Sequence, residues 1–128
     1  MKHLKTAVIS LMAVALMFTA AYGATSAERG KALFNDPKAF GATGETSCAT
    51  CHPNGKGLEA SGKWLKRSFV TPGAVWLKLQ DAINFCIIMA NKGKAIDPRS
   101  QDMKDVVSYI RQVSRENTEP PAGYDFNE

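Results

Sequence analysis

Residues 48–52 read Cys-Ala-Thr-Cys-His, and this stretch decides how the fold and the chemistry of the chain are interpreted. In the C-x-x-C-H pattern, two thiols add across the vinyl groups of a haem as thioethers, and the adjacent histidine binds the iron. The sequence therefore predicts one covalent haem c, attached through Cys48 and Cys51, with His52 as the proximal iron ligand. The alternative is a zinc or redox C-x-x-C, but a zinc site needs two more ligands. The only other cysteine and histidine are Cys86 and His3, and His3 belongs to the leader.

The N-terminus has the features of a secretory signal peptide. A short basic start precedes an apolar run from Thr6 to Ala20, which small residues follow. The run is too short to be a membrane span. We expect residues 1–23 to be a signal peptide, and an uncleaved anchor is the alternative. Because haem is attached after export, the leader and the motif agree, and both indicate the periplasm or another extracytoplasmic compartment of a bacterium.

The rest of the chain predicts one small domain, residues 24–117, followed by a Pro-containing tail, residues 118–128. Loss of the two leader lysines lowers the net charge from +4 to +2, with 14 basic and 12 acidic residues remaining. This excess is too small to indicate nucleic-acid binding. Seven basic residues are concentrated between residues 53 and 94: Lys56, Lys63, Lys66, Arg67, Lys78, Lys92 and Lys94. An ordinary solvated surface explains them, and so does a basic collar that steers an acidic redox partner.

Hydrophobic spacing and capping signals predict three helices and no strand. The first spans about Ser26–Phe34, and Thr25 with Glu28 forms its capping box. The second begins at Thr71-Pro72, with threonine as N-cap and proline at the first helical position. The third begins near residues 98–100 and ends at about residue 116. These elements predict an all-α fold.

The chain resembles a class I cytochrome c. The resemblance rests on residues 27–34 (Ala-Glu-Arg-Gly-Lys-Ala-Leu-Phe), on the C-x-x-C-H motif, and on Tyr109-Ile110 in the last helix. It implies the class I cytochrome c fold, in which the N- and C-terminal helices cross beside the covalently bound haem. In that fold Gly30 would give the clearance at the crossing, and Phe34 and Tyr109 would pack there.

The distal iron ligand is the open question. Apart from the leader, His52 is the only histidine, so a second histidine from the same chain is excluded. Met89 and Met103 are candidate ligands, although core packing explains Met103 better. Cys86 is an unpaired thiol, which is unusual in an exported protein. It is a buried inert thiol, a partner in an intermolecular disulfide, or a thiolate ligand of the iron.

A second resemblance favours Cys86. The segment with Ile-Asn-Phe-Cys at residues 83–86, Met89, Asn-Lys-Gly-Lys-Ala at residues 91–95 and Ser-Gln-Asp-Met at residues 100–103 is similar to the region around the cysteine-ligated haem of SoxA-type and TsdA-type cytochromes. It implies that Cys86 is the distal ligand, with Met89 as the alternative. Those enzymes use a second haem or a haem partner subunit. In size the chain is similar to the small His/Cys monohaem cytochromes of the NaxLS type, which pair as heterodimers and bind small gases.

Three functions are therefore expected. The favoured one is electron transfer by a low-potential His/Cys-ligated haem, because a thiolate stabilises ferric iron. The others are an NO- or CO-binding or redox-sensing haem protein in a homo- or heterodimer, and the haem subunit of a sulfur-oxidising enzyme. The sequence has no acid/base pair, Ser/His/Asp set or phosphate loop at a recognisable spacing, which favours a carrier or a gas-binding protein over an enzyme.

Overall fold

The computed structural model describes residues 23–63 and 65–116. The predicted tail and all of the predicted signal peptide except Gly23 lie outside these residues. The described helices are α1 (Ser26–Asn35), α2 (Cys48–Cys51), α3 (Leu79–Met89) and α4 (Gln101–Glu116), with 3-10 turns at Ala39–Gly41 and Pro53–Gly55. The described strands are β1 (Phe69–Thr71) and β2 (Ala74–Trp76).

Helix α1 begins and ends where its local signals predict. The Thr25 hydroxyl accepts a hydrogen bond from the Glu28 backbone N–H at 3.2 Å, and the Glu28 carboxylate accepts one from the Thr25 N–H at 2.6 Å. The capping box is therefore confirmed, and it satisfies two N–H groups that have no partner within the helix. The helix ends before Pro37, which cannot continue the hydrogen-bond ladder.

Helices α1 and α4 cross in direct backbone contact. A Cβ added at Gly30 would lie 1.9 Å from the Asp105 carbonyl oxygen and 3.0 Å from the Tyr109 Cβ. The rings of Phe34 and Tyr109 meet edge to face, with centroids 5.1 Å apart and planes at 63°. The predicted clearance at Gly30 and the predicted packing of the two aromatic rings are both confirmed.

A buried carboxylate ties the same crossing together. Asp105 is 2% exposed, and its oxygens accept hydrogen bonds from Arg29 at 2.8 and 3.1 Å, from Ser26 at 2.5 Å and from Gln101 at 2.7 Å. The Arg29 hydrogen bond is the main reason that the pKa of Asp105 falls from 3.8 to about 2. Burial alone would disfavour the ionised carboxylate, but every partner donates a hydrogen bond to it, and these bonds stabilise its negative charge.

The hydrophobic core lies between α3, α4 and the end of α1. Its buried members are Phe34, Ile83, Ile87, Met103, Val106, Val107, Tyr109, Ile110 and Val113, and Cys48 packs against them. Met103 is 1% exposed, which agrees with the core role preferred for it. The core thus connects the helix that carries Cys86 with the turn that carries the C-x-x-C-H motif.

The segment around Pro72 corrects the sequence prediction. Instead of starting a helix, Thr71 ends β1 and pairs with Ala74 of β2, so that Pro72 and Gly73 form the turn of an antiparallel hairpin. The helix predicted to begin at residue 71 is α3, which starts only at Leu79. The predicted all-α fold is wrong because of this two-stranded sheet, and a class I cytochrome c fold is not confirmed.

Side-chain packing explains why the hairpin forms. The Trp76 indole N–H donates to the Thr71 hydroxyl at 3.0 Å, and the Trp76 ring packs against Phe85 of α3 with centroids 5.4 Å apart. A Cβ at Gly73 would lie 2.5 Å from the tip of the same phenylalanine ring. Proline followed by glycine is a turn signal, and the aromatic and β-branched neighbours suit strands, so tertiary contacts select the hairpin over the helix start.

Candidate haem site

The two motif cysteines lie on the single turn of α2. The Ser47 backbone N–H donates to the Thr50 hydroxyl at 3.0 Å, and the His52 N–H donates to the Cys48 carbonyl at 3.0 Å, so hydrogen bonds fix both ends of the turn. Cys48 is half-buried against the core and Cys51 is exposed. Both are free thiols, and the helical turn directs them to one side of the chain.

The tautomer of His52 is set by a backbone carbonyl. Its Nδ1 lies 2.9 Å from the Lys56 oxygen, and because a carbonyl only accepts, Nδ1 carries the proton. In the neutral ring this tautomer leaves the lone pair on Nε2, the nitrogen that would bind a metal. Asn54 and Gly55, with φ of 52° and 78°, reverse the chain and bring Lys56 back to the ring. A Cβ at Gly55 would lie 2.4 Å from a methyl carbon of Val113, so this reversal is packed directly on α4.

The two candidate distal ligands differ in burial. Cys86 lies in the last turn of α3 and is half-buried, whereas Met89, three residues later at the end of the helix, is 54% exposed. Burial raises the pKa of the Cys86 thiol, and the neighbouring thiols of Cys48 and Cys51 raise it further. The Cys86 sulfur is therefore within electrostatic range of both motif cysteines.

Asn91 is a site residue that the sequence reasoning did not identify. It is 2% exposed, and its side-chain Nδ2 donates to the Cys48 sulfur at 3.6 Å. Its backbone N–H donates to the Cys86 carbonyl at 3.2 Å. Burial raises the pKa of the Cys48 thiol, and the hydrogen bond from Asn91 opposes that effect. No spacing rule in the sequence assigns this residue a role.

The basic residues of the predicted collar lie mostly in solvent. Six of the seven are exposed, and Lys66 is half-buried with its ammonium 5.6 Å from the centre of the Phe69 ring. Exposed cations of one sign raise the local concentration of anionic partners. Within residues 23–63 and 65–116, no three His, Cys, Asp or Glu side chains gather as a group that could hold a bare metal ion. The ligands of a haem iron lie on opposite faces of the ring and need not form such a group.

Comparisons with family models, with curated proteins and with solved structures find no match for this chain. The described part of the chain contains no helix of the length and apolar character that crossing a membrane requires.

Proposed function

We propose that this chain is an exported monohaem c-type cytochrome that transfers electrons, acting outside the cytoplasm. Cys48 and Cys51 hold the haem as thioethers, His52 is the proximal ligand and Cys86 the distal ligand. The observation that carries the proposal is the 2.9 Å contact between His52 Nδ1 and the Lys56 carbonyl. It gives the histidine that follows the two thiols the tautomer and the fixed orientation that ligation requires.

The donor set fits a haem c. Two thiols outside any disulfide lie on one helical turn, an imidazole oriented through its Nδ1 follows them directly, and a third thiol is within electrostatic range of both. The haem iron supplies a one-electron couple when it is bound. A reduced donor protein gives the electron and an oxidised acceptor protein removes it, so the chain needs no acid/base group of its own.

Burial favours Cys86 over Met89 as the distal ligand. A ligand enclosed in a haem pocket has to be shielded from solvent, and the Cys86 thiol is half-buried whereas the Met89 side chain is 54% exposed. A thiolate is a stronger anionic donor than methionine sulfur and lowers the reduction potential. We therefore expect a low-potential carrier that docks through its exposed basic residues on an acidic redox protein.

Covalent attachment is tested by producing the chain in a strain that matures c-type haem and weighing the purified product. We expect the wild-type mass to include one haem that acid-acetone does not extract. Cys48→Ala or Cys51→Ala should each remove one thioether, and the double variant should carry no covalent haem. Cys86→Ala is the matched control, because it removes the third thiol and should keep both thioethers. A wild-type chain without covalent haem, or one that copurifies with zinc, contradicts the proposal.

One observation favours a second function, the binding of NO or CO. Burial raises the pKa of the Cys86 thiol, so a sulfur at this position would favour its protonated form in the absence of a stabilising metal charge. A ligand that leaves on reduction opens a site for a gas. Rapid CO binding by the reduced protein supports this function, and CO binding that is slow or absent supports electron transfer.

A further inference from the structure

Two loops that flank the motif and α3 are joined backbone to backbone. The Thr43 N–H donates to the Lys92 carbonyl at 3.3 Å, and the Lys94 N–H donates to the Phe40 carbonyl at 2.9 Å. We call this junction of residues 40–44 with residues 91–94 the loop latch. The first loop lies just before Cys48, and the second follows α3. The latch therefore joins the loop that precedes Cys48 to the loop that follows Cys86, although the two are distant in sequence.

Two residues of the latch have a left-handed backbone conformation. Phe40 and Lys92 are not glycines, yet they adopt φ of 60° and 57°. Such conformations are unfavourable for side-chain-bearing residues and persist where the surrounding structure imposes them. A Cβ at Gly44 would lie 3.1 Å from the Asn91 carbonyl oxygen, so the two loops approach closely at that point too.

Asn91 connects this junction to both sulfur-bearing residues. Its side chain reaches the Cys48 sulfur at 3.6 Å and its backbone N–H reaches the Cys86 carbonyl at 3.2 Å. The amide is 2% exposed, so water does not substitute for these bonds. A thioether sulfur is still a weak acceptor, and the side-chain contact is compatible with attachment of a cofactor to Cys48.

We propose that Asn91 is a positioning residue that fixes the Cys86 sulfur relative to the attachment turn, so that this sulfur stays on the haem iron in both oxidation states. The inference rests on the proposed haem function and extends it to the control of the distal ligand. A ligand held in place by the protein loses little freedom when it binds and returns quickly when its bond weakens. The latch therefore opposes release of the Cys86 sulfur from the iron.

The test uses the haem-loaded protein with Asn91→Ala, and with Asn84→Ala as the matched control. Asn84 lies on α3, and its side chain makes two hydrogen bonds to the backbone of Ile96, each of 2.9 Å, so its loss also weakens local structure. No described hydrogen bond joins it to Cys48. The readouts are the optical spectrum of the reduced protein and the rate of CO binding after stopped-flow mixing.

We expect the reduced wild type and Asn84→Ala to bind CO slowly and at similar rates. In Asn91→Ala the rate should rise about fivefold or more, the factor that corresponds to one ordinary hydrogen bond, and the distal-ligand bands should weaken. Asn91→Ser keeps a donor on a shorter side chain, so its rate of CO binding should lie between those of the wild type and Asn91→Ala. It replaces the alanine variant if that variant does not fold.

The inference is overturned by CO rates in the Asn91 variants that equal the wild-type rate, or by an Asn84→Ala rate that rises as much. Fast CO binding by the wild type itself also contradicts it. Each of these results requires a haem-loaded protein. Failure of the proposed function is recognised separately, because the chain would then carry no covalent haem.

Discussion

Gly30→Ala should destabilise the protein although alanine is the better helix former. The new Cβ would lie 1.9 Å from the Asp105 carbonyl oxygen, whereas an ordinary contact needs at least 3.4 Å. The obstacle is the backbone of α4, so no side-chain rotation relieves it. The two helices have to separate by about 1.5 Å, which also loosens the edge-to-face contact of Phe34 with Tyr109.

The magnitude follows from two opposing terms. Alanine gains about 1 kcal/mol over glycine in a helix interior. Overpacking costs about 1–3 kcal/mol and occasionally more, and a backbone obstacle belongs at the upper end. We therefore expect a net loss of about 2 kcal/mol in the free energy of unfolding, or about 10 °C in Tm for a domain of this size.

Urea unfolding of the haem-loaded chain, followed by far-ultraviolet circular dichroism, measures this loss. Lys31→Ala is the matched control, since Lys31 is the exposed neighbour on the same helix and should change stability by no more than about 0.5 kcal/mol. A Gly30→Ala protein as stable as the wild type, or more stable, would refute the account of the helix crossing.

Two further predictions concern the buried carboxylate and the hairpin. Because the pKa of Asp105 is lowered to about 2, its ionised form stabilises the fold above about pH 4, and the contribution disappears as the pH falls toward 2. Asp105→Asn should thus lower the free energy of unfolding by about 1–2 kcal/mol at pH 7, a value reduced to allow for the half-exposed Arg29, and should not change it near pH 2. A difference in urea midpoints between the two proteins that does not vary with pH would contradict this. Thr71→Val keeps the β-branched shape but removes the hydroxyl that accepts from Trp76 and donates to the Ala74 carbonyl. This variant should lower the free energy of unfolding by about 1–2 kcal/mol. A urea midpoint and a tryptophan emission spectrum that both match the wild type would contradict this prediction.

Local signals predicted the first and last helices well. Thr25, Glu28 and Pro37 act within a few residues of the helix they delimit, so the sequence contains all that is needed to place α1. For α4, the Ser100 hydroxyl accepts from the Met103 N–H at 3.2 Å, as expected for an N-cap at the predicted start. The hairpin was not predictable in this way. Threonine followed by proline suits both a helix start and a turn, and the packing of Trp76 on Phe85 that decides between them is a tertiary contact.

The candidate site likewise contains residues that the local sequence predicts and residues that only tertiary packing brings together. Cys48, Cys51 and His52 are adjacent in sequence, and their spacing alone predicts their chemistry. The Lys56 carbonyl that orients the histidine is a backbone atom with no sequence signature. Asn91 meets Cys48 across 43 positions, and such an approach follows from the packing of α3 and the loop latch, not from any local pattern.

The distal ligand is tested most directly by the electron paramagnetic resonance spectrum of the ferric protein. It should be recorded for the wild type, Cys86→Ala and Met89→Ala. With His52 and Cys86 as the axial ligands, the wild type gives a low-spin thiolate-type signal that Cys86→Ala loses and Met89→Ala keeps. A signal that survives in Cys86→Ala and disappears in Met89→Ala would contradict the account and would make the protein a His/Met electron carrier.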